Sequence, residues 1–424
     1  MTKTNLKTVC YLLTFPFMLA SIIGCSGPIN TNYDQHFTEE GYLITDVEDS
    51  IVFFVPESPN AIKFYVEVSG SMNGFFRANK STDFKSDLWQ VMSYFSGLMS
   101  NVSVLTNNGE IGNRLILSDF RQKMNTGAFV STASTKVPVM LEAIFSDINP
   151  NAGEVGVLVS DMKYSPVGLA AQEVLLSQYS TDIARILAKS GYATSLLLAT
   201  SSYLDKHGNN QCPTSPYYYL IFGDPRQVAY MRNGISTLLD DAGHFVDNIE
   251  SGFDYGAMNY SFGIPKNCFH MDDETPTFCG YDALSDDTCT IEVKVRLENY
   301  RWRMADEAIF SEAFSAKCLY GSDLVIGPIT ISVENKTNKE LNRVAEATVE
   351  LKVCNMATDS EVIEWGLELP DTERTMFAPY IENVDDENDI NKSYSVDSFI
   401  QGMFYGSNLN KPLKQQYILI SQNS

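Results

Sequence analysis

Hydrophobic residues along this chain come in short blocks whose spacing switches between two periods. Residues 51–55 (IVFFV) and 61–68 (AIKFYVEV) read as strands, the second running into Ser69-Gly70-Ser71. Residues 83–99 carry Leu88, Val91, Met92, Phe95 and Leu98 at helical intervals. A short strand over 114–117 ends at Ser118-Asp119, and 137–145 reads as a helix with Pro138 in its first turn. Residues 155–159 (VGVLV) form an unbroken apolar run of the buried-strand type, closing on Ser160-Asp161. A helix over 182–189 stops at Gly191, and 193–198 and 217–222 predict two more buried strands. Asp224-Pro225 has the chemistry of a helix cap for 227–239. Strand and helix alternate throughout 51–243. This predicts an α/β domain, a doubly wound and mostly parallel sheet with helices on both faces. Ligands of such sheets gather at the carboxyl ends of the strands.

The rhythm changes after residue 243. Residues 244–290, rich in Asp, Gly, Asn and Pro, read as an irregular connector. Strict alternation over 290–297 (TIEVKVRL), then apolar runs at 329–333, 347–353, 362–369 and 417–420, predict a β-rich sandwich domain over 291–424.

Charge sharpens this division. The net charge of the chain is −23, with −6 carried by residues 1–243 and −17 by 244–424. So acidic a chain has no excess of the cations that neutralise nucleic-acid phosphates, which argues strongly against nucleic acid as a partner. It also argues against docking on anionic lipid through a basic patch.

The start of the chain reads as an address. Lys3 and Lys7 precede an apolar stretch too short for an ordinary spanning helix, which ends at Ile22-Ile23-Gly24-Cys25. This resembles the bacterial lipoprotein signal. The resemblance implies cleavage after residue 24, lipidation of Cys25 and an outer-membrane anchor, with 25–50 as a tether. The residues behind Cys25 carry no acid before Asp34. That favours the periplasmic face over the Bacteroidetes-like surface route, with the surface left open. Beyond Cys10 and Cys25, six cysteines remain: Cys212, Cys268, Cys279, Cys289, Cys318 and Cys354. In an exported chain these suggest disulfides in any of fifteen connectivities. Zinc is disfavoured, because no C-x-x-C pair is present.

Three strand ends carry matching oxygen chemistry. Glu67, Ser69 and Ser71 alternate along one strand-to-loop edge, so period two aims them the same way. Residues 129–135 (FVSTAST) form a hydroxyl-rich loop entering a helix, and Asp161 closes the third strand. Carboxylates and hydroxyls without sulfur or imidazole suit Mg²⁺, Mn²⁺ or Ca²⁺. On these residues, 55–243 resembles the von Willebrand factor A domain. That family's metal-ion-dependent adhesion site pairs an Asp-x-Ser-x-Ser motif with a loop threonine and a strand-terminal aspartate. The resemblance places Glu67, Ser69 and Ser71 in the motif, Asp161 as the strand-terminal acid, and Thr135, or alternatively Thr132, as the threonine. It implies a cation that completes its coordination with an acidic residue of a protein partner. Glu67 departs from the family's aspartate. Its extra methylene shifts the carboxylate by about 1.5 Å, so direct ligation, weak binding and loss of the ion all stand open.

The rival readings are a hydrolase and a structural lipoprotein with a dead site. Ser71, Asp161 and His207 follow the chain order Ser…Asp…His of α/β-hydrolases, but neither Ser69 nor Ser71 sits in Gly-x-Ser-x-Gly. The acidic run Asp385-Asp386-Glu387-Asn388-Asp389 lacks the glycine and terminal glutamate of an EF-hand and reads as a solvated loop.

Overall fold

The computed structural model describes residues 36–38, 41–44, 54–99, 101–105, 110–129, 131, 136–164, 171–254, 258–271, 275–280, 288–297, 307–335, 343–356, 358–367, 376–382, 389–406 and 415–422. Cys25, Thr132, Thr135 and the acidic stretch 385–388 lie outside them.

The first unit is built in chain order from β1 (Ala61–Glu67), α1 (Asp83–Tyr94), β2 (Val102–Leu105), β3 (Ile111–Leu115), α2 (Leu117–Thr126), α3 (Val137–Asp147), β4 (Glu154–Ser160), α4 (Gln172–Ser190), β5 (Ala193–Leu204), β6 (Asn210–Gly223), α5 (Pro225–Asp241) and β7 (Phe245–Ser251). Its seven strands form one sheet in the order β3-β2-β1-β4-β6-β5-β7. Side chains alternate across the sheet as period two requires. Phe64 and Val66 pack with Phe84, Leu88 and Val91 of α1, Phe120 and Met124 of α2, and Val228 and Ile235 of α5. Tyr65 and Leu158 face the other way, against Met140, Leu141 and Ile144 of α3 and Ile183, Ile186 and Leu187 of α4. Both faces are covered by helices, as the alternating pattern predicts.

The sheet is mixed, and parallel only at its centre. β1 runs parallel to β2 and β4, whereas β2–β3, β4–β6, β6–β5 and β5–β7 are antiparallel. The cause lies between residues 198 and 217. β5 continues past 198 to Leu204 and turns through Asp205, whose Oδ1 accepts the N–H groups of His207 and Asn209 at 2.8 and 2.9 Å. Strands joined by so short a turn must pair antiparallel, and β6 therefore inserts between β4 and β5. Asp224 caps α5 as expected, accepting the N–H of Arg226 at 3.0 Å with Pro225 following. Asp119 lies in the first turn of α2, where the sequence pattern predicts the end of a strand.

The second unit comprises β8 (Tyr260–Phe262), β9 (Phe269–His270), β10 (Thr277–Cys279), β11 (Thr288–Arg296), α6 (Glu307–Ala313), β12 (Phe314–Cys318), β13 (Asp323–Asn335), β14 (Arg343–Cys354), β15 (Ser360–Leu367), β16 (Ile381–Glu382), β17 (Ser393–Tyr394), α7 (Val396–Gly406) and β18 (Gln416–Ser421). A four-stranded sheet, β13-β14-β11-β8, faces a five-stranded one, β12-β15-β18-β10-β9. Tyr260 of the first meets Trp365 of the second edge to face, ring centroids 5.1 Å apart. Phe262 and Phe278 do the same at 5.2 Å. Within these two sheets all pairings but β10–β18 are antiparallel, and β16 and β17 form a separate parallel pair. This is the predicted sandwich.

Two boundaries move. The described residues of 244–290 do not form an irregular connector, because β7 completes the large sheet and β8, β9 and β10 join the sandwich. And a segment late in the chain, within 377–406, returns to the first unit. Phe377, Val396, Phe399, Ile400 and Met403 enter the core on the α4 face. Small residues permit the approach: a Cβ at Gly402 would lie 2.6 Å from Ile183 Cβ, and one at Gly406 would crowd the Ala184 backbone. Gly402→Leu should therefore lower stability by about 1–3 kcal/mol through overpacking. Urea unfolding reads this, and a variant as stable as the parent would refute close docking of α7 on α4.

Candidate metal centre

β1 and β4 lie side by side with Val66 opposite Val159, so the two strands finish at one edge of the sheet. Glu67 ends β1, and Ser160-Asp161 ends β4. Beyond Glu67 the chain leaves the sheet and closes into a single 3-10 turn, Ser71–Gly74. This turn brings the Oγ atoms of Ser69 and Ser71 to 2.9 Å from each other. Glu67 and Ser69 are both buried.

Ser160 is the residue that pattern reading passed over. Its hydroxyl donates to Glu67 Oε2 and accepts the N–H of Met162 at 2.7 Å. Met162 takes φ +54°, a left-handed conformation rare for a side chain of its size. Such strain persists only where its surroundings impose it, and it gathers at functional sites. Here the bend turns Asp161 back into the protein, where it is 1% exposed. Its Oδ1 accepts the Lys163 N–H at 3.2 Å. Its Oδ2 is fully buried without a hydrogen-bond partner among the described residues. Burial pushes the Asp161 carboxyl above the usual carboxylate range, against the opposing pull of the Lys163 charge, the Ser71 hydroxyl and the Lys163 N–H. A buried carboxylate near the Ser71 hydroxyl, whose Oδ2 makes no close hydrogen bond among the described residues, favours the uptake of a proton or a cation.

The hydroxyl-rich loop is tied to this edge by a side chain that the sequence did not single out. Asn73 donates its Nδ2 to the Ser131 carbonyl at 2.7 Å and accepts the Ser131 N–H on Oδ1 at 2.8 Å. The loop that bears Thr132 and Thr135 thus starts from a clamp on the Ser71 turn, although both threonines lie outside the described residues. A further support comes from far along the chain. Ser393 donates its hydroxyl to the Asp161 carbonyl at 2.9 Å, and Lys163 Nζ donates to the Asp389 carbonyl at 3.1 Å. Nothing local in the sequence signals these contacts, which come from α7 and its leading segment docking on the α/β unit.

Four of the five expected ligands, Glu67, Ser69, Ser71 and Asp161, are thereby set at one sheet edge. His207 is not joined to them. It sits exposed at the tip of the β5–β6 turn, and no hydrogen bond links it to Ser71 or Asp161 among the described residues. The hydrolase constellation of Ser71, Asp161 and His207 is therefore not assembled here. Among the described residues no three His, Cys, Asp or Glu side chains gather. A cation at this edge would rest on two carboxylates and on hydroxyls, a set suited to hard ions that keep some of their water. No known protein family, no characterised protein and no solved structure matches this chain.

Proposed function

We propose that this protein is a lipid-anchored envelope protein. In this reading its α/β unit is a von Willebrand A-like domain that holds a divalent cation and uses it to bind an acidic residue of a protein partner. The observation that carries the reading is the Asp161 carboxylate, buried with an oxygen that has no hydrogen-bond partner among the described residues, beside the Ser69–Ser71 hydroxyl pair. The ordering of three strands, β2-β1-β4, with parallel pairing and helices on both faces supports it. Glu67 is braced by the Ser160 hydroxyl, so its longer side chain has a defined place at this edge. Magnesium or manganese fits the donor set best, with calcium also accommodated. A hydrated cation at the rim of the sheet keeps a coordination position for an incoming carboxylate, and that is the chemistry by which it would select an acidic partner. The anchor at Cys25 and a periplasmic station belong to the same proposal. No helix among the described residues is long and apolar enough to cross a membrane.

Calorimetric titration of the chain with Mg²⁺ and Mn²⁺ tests the site. Saturable binding is expected for the parent and none for Ser69→Ala/Ser71→Ala. Equal binding by parent and variant would remove the serine pair from the site.

A further inference from the structure

We propose that Cys268 and Cys289 form a disulfide, and that this bond ties the two sheets of the sandwich together. Lys266 and Thr290 exchange backbone hydrogen bonds, each N–H to the other's carbonyl, at 2.9 and 3.1 Å. The Asn267 side chain adds a third link, donating to the Thr288 carbonyl at 3.3 Å. This antiparallel bridge sets the two cysteines against each other with their Sγ atoms 2.6 Å apart, nearer than two unbonded sulfurs rest. Cys268 leads directly into β9 at the edge of the five-stranded sheet, and Cys289 lies within β11 of the four-stranded one. The bond therefore crosses between sheets. Two of the other cysteines have contacts of their own. The Cys212 thiol donates to Asn391 Oδ1 at 2.8 Å, and Cys354 lies 3.5 Å from the Thr288 hydroxyl.

The chemistry needs an oxidant of the dithiol–disulfide oxidoreductase class, so this proposal rests on the export reading for its setting. Cys268 is partly exposed and Cys289 is buried, which fixes the order of events. The Cys268 thiolate attacks the disulfide of the oxidoreductase and releases one of its sulfurs as a thiol. The Cys289 thiolate then attacks Cys268 Sγ and expels the other. Two electrons pass from the cysteine pair to the oxidoreductase, and the two thiol protons end on its two sulfurs. The closed loop contains β9 and β10, so the crosslink restrains both strands against the sandwich.

The test starts from full chain purified under reducing conditions, exposed while folded to oxidised glutathione, then denatured and alkylated. Peptide mapping without reductant should recover one species joining the segments around 268 and 289, lighter by two hydrogens than their sum. In thermal melts, dithiothreitol should lower the midpoint of the oxidised parent and leave Cys268→Ala/Cys289→Ala unmoved. Recovery of both cysteines alkylated, or of Cys268 linked elsewhere, overturns the pairing. The same mapping on chain made with its leader in a bacterial envelope separates the two readings. A pair that glutathione closes but that the envelope-borne chain lacks contradicts export and leaves the pairing standing.

Discussion

Asp161→Asn should abolish divalent-cation binding and slightly raise the stability of the metal-free protein at neutral pH. Both effects follow from one fact: the carboxylate is buried and only half used. Asparagine keeps an oxygen for the Lys163 N–H but carries no charge to bury and none to offer a cation. Burial is the largest influence on this group and raises its pKa. Between the unfolded value, about 3.9, and the raised folded value, the native state holds more protons than the unfolded state. The stability contributed by Asp161 is therefore present at low pH and lost as pH rises through that window. A cation must displace the same proton, so its affinity should weaken as the medium becomes mildly acidic. Thermal melts in Mn²⁺ and in chelator, taken from mildly acidic to neutral pH, read all of this at once. The parent should gain stability from Mn²⁺, by about 2.7 kcal/mol at a concentration one hundred times the dissociation constant, with the gain shrinking on acidification. The variant should show no gain at any pH. A manganese-dependent rise that persists in Asp161→Asn would sink the assignment of this carboxylate.

The sequence carried the large features because they rest on local periodicity. The apolar runs of β1 and β4 are buried on both faces, so their hydrophobicity is continuous and their ends are sharp. That is why Glu67, Ser69, Ser71 and Asp161 could be picked out together. Alternation over 290–297 likewise marked β11. Missed features fall into two kinds. Some had a local signal that went unread: Phe120 and Met124 are four apart and both buried in α2, and Ser160 stood next to the chosen aspartate. Others have no local signal at all. Whether 198–217 is a loop or a hairpin decides the direction of β6, and polar residues suit either. The docking of α7 depends on Gly402 and Gly406 meeting Ser180, Ile183 and Ala184, a match between surfaces more than two hundred residues apart in sequence. The same long reach places Ser393 on the Asp161 carbonyl. A boundary drawn from composition at 243 could not foresee it.

That boundary is also where the largest stability effect is expected. Arg232 of α5 and Glu250 of β7 form an ion pair with side chains 0% and 1% exposed. The guanidinium also lies 5.9 Å from the centroid of the Phe253 ring. Removing one partner leaves the other charge buried without this counter-charge, a change that costs about 3–5 kcal/mol in buried pairs. Glu250→Gln keeps the shape and removes only the charge, so its loss should approach that range. Arg232→Met/Glu250→Leu removes both charges and leaves apolar groups of similar length, and buried pairs replaced in this way often cost little. The double variant should thus be more stable than Glu250→Gln alone, the reverse of what additive contacts would give. Urea unfolding followed for each protein tests the order, with an unchanged m-value showing that the native state stays equally compact. A Glu250→Gln variant within about 1 kcal/mol of the parent would mean that the charge pair is not what holds β7 to the sheet. The expected order would make residue 250, near the start of the expected connector, part of the base on which β5, β6 and β4 hold Asp161 in place.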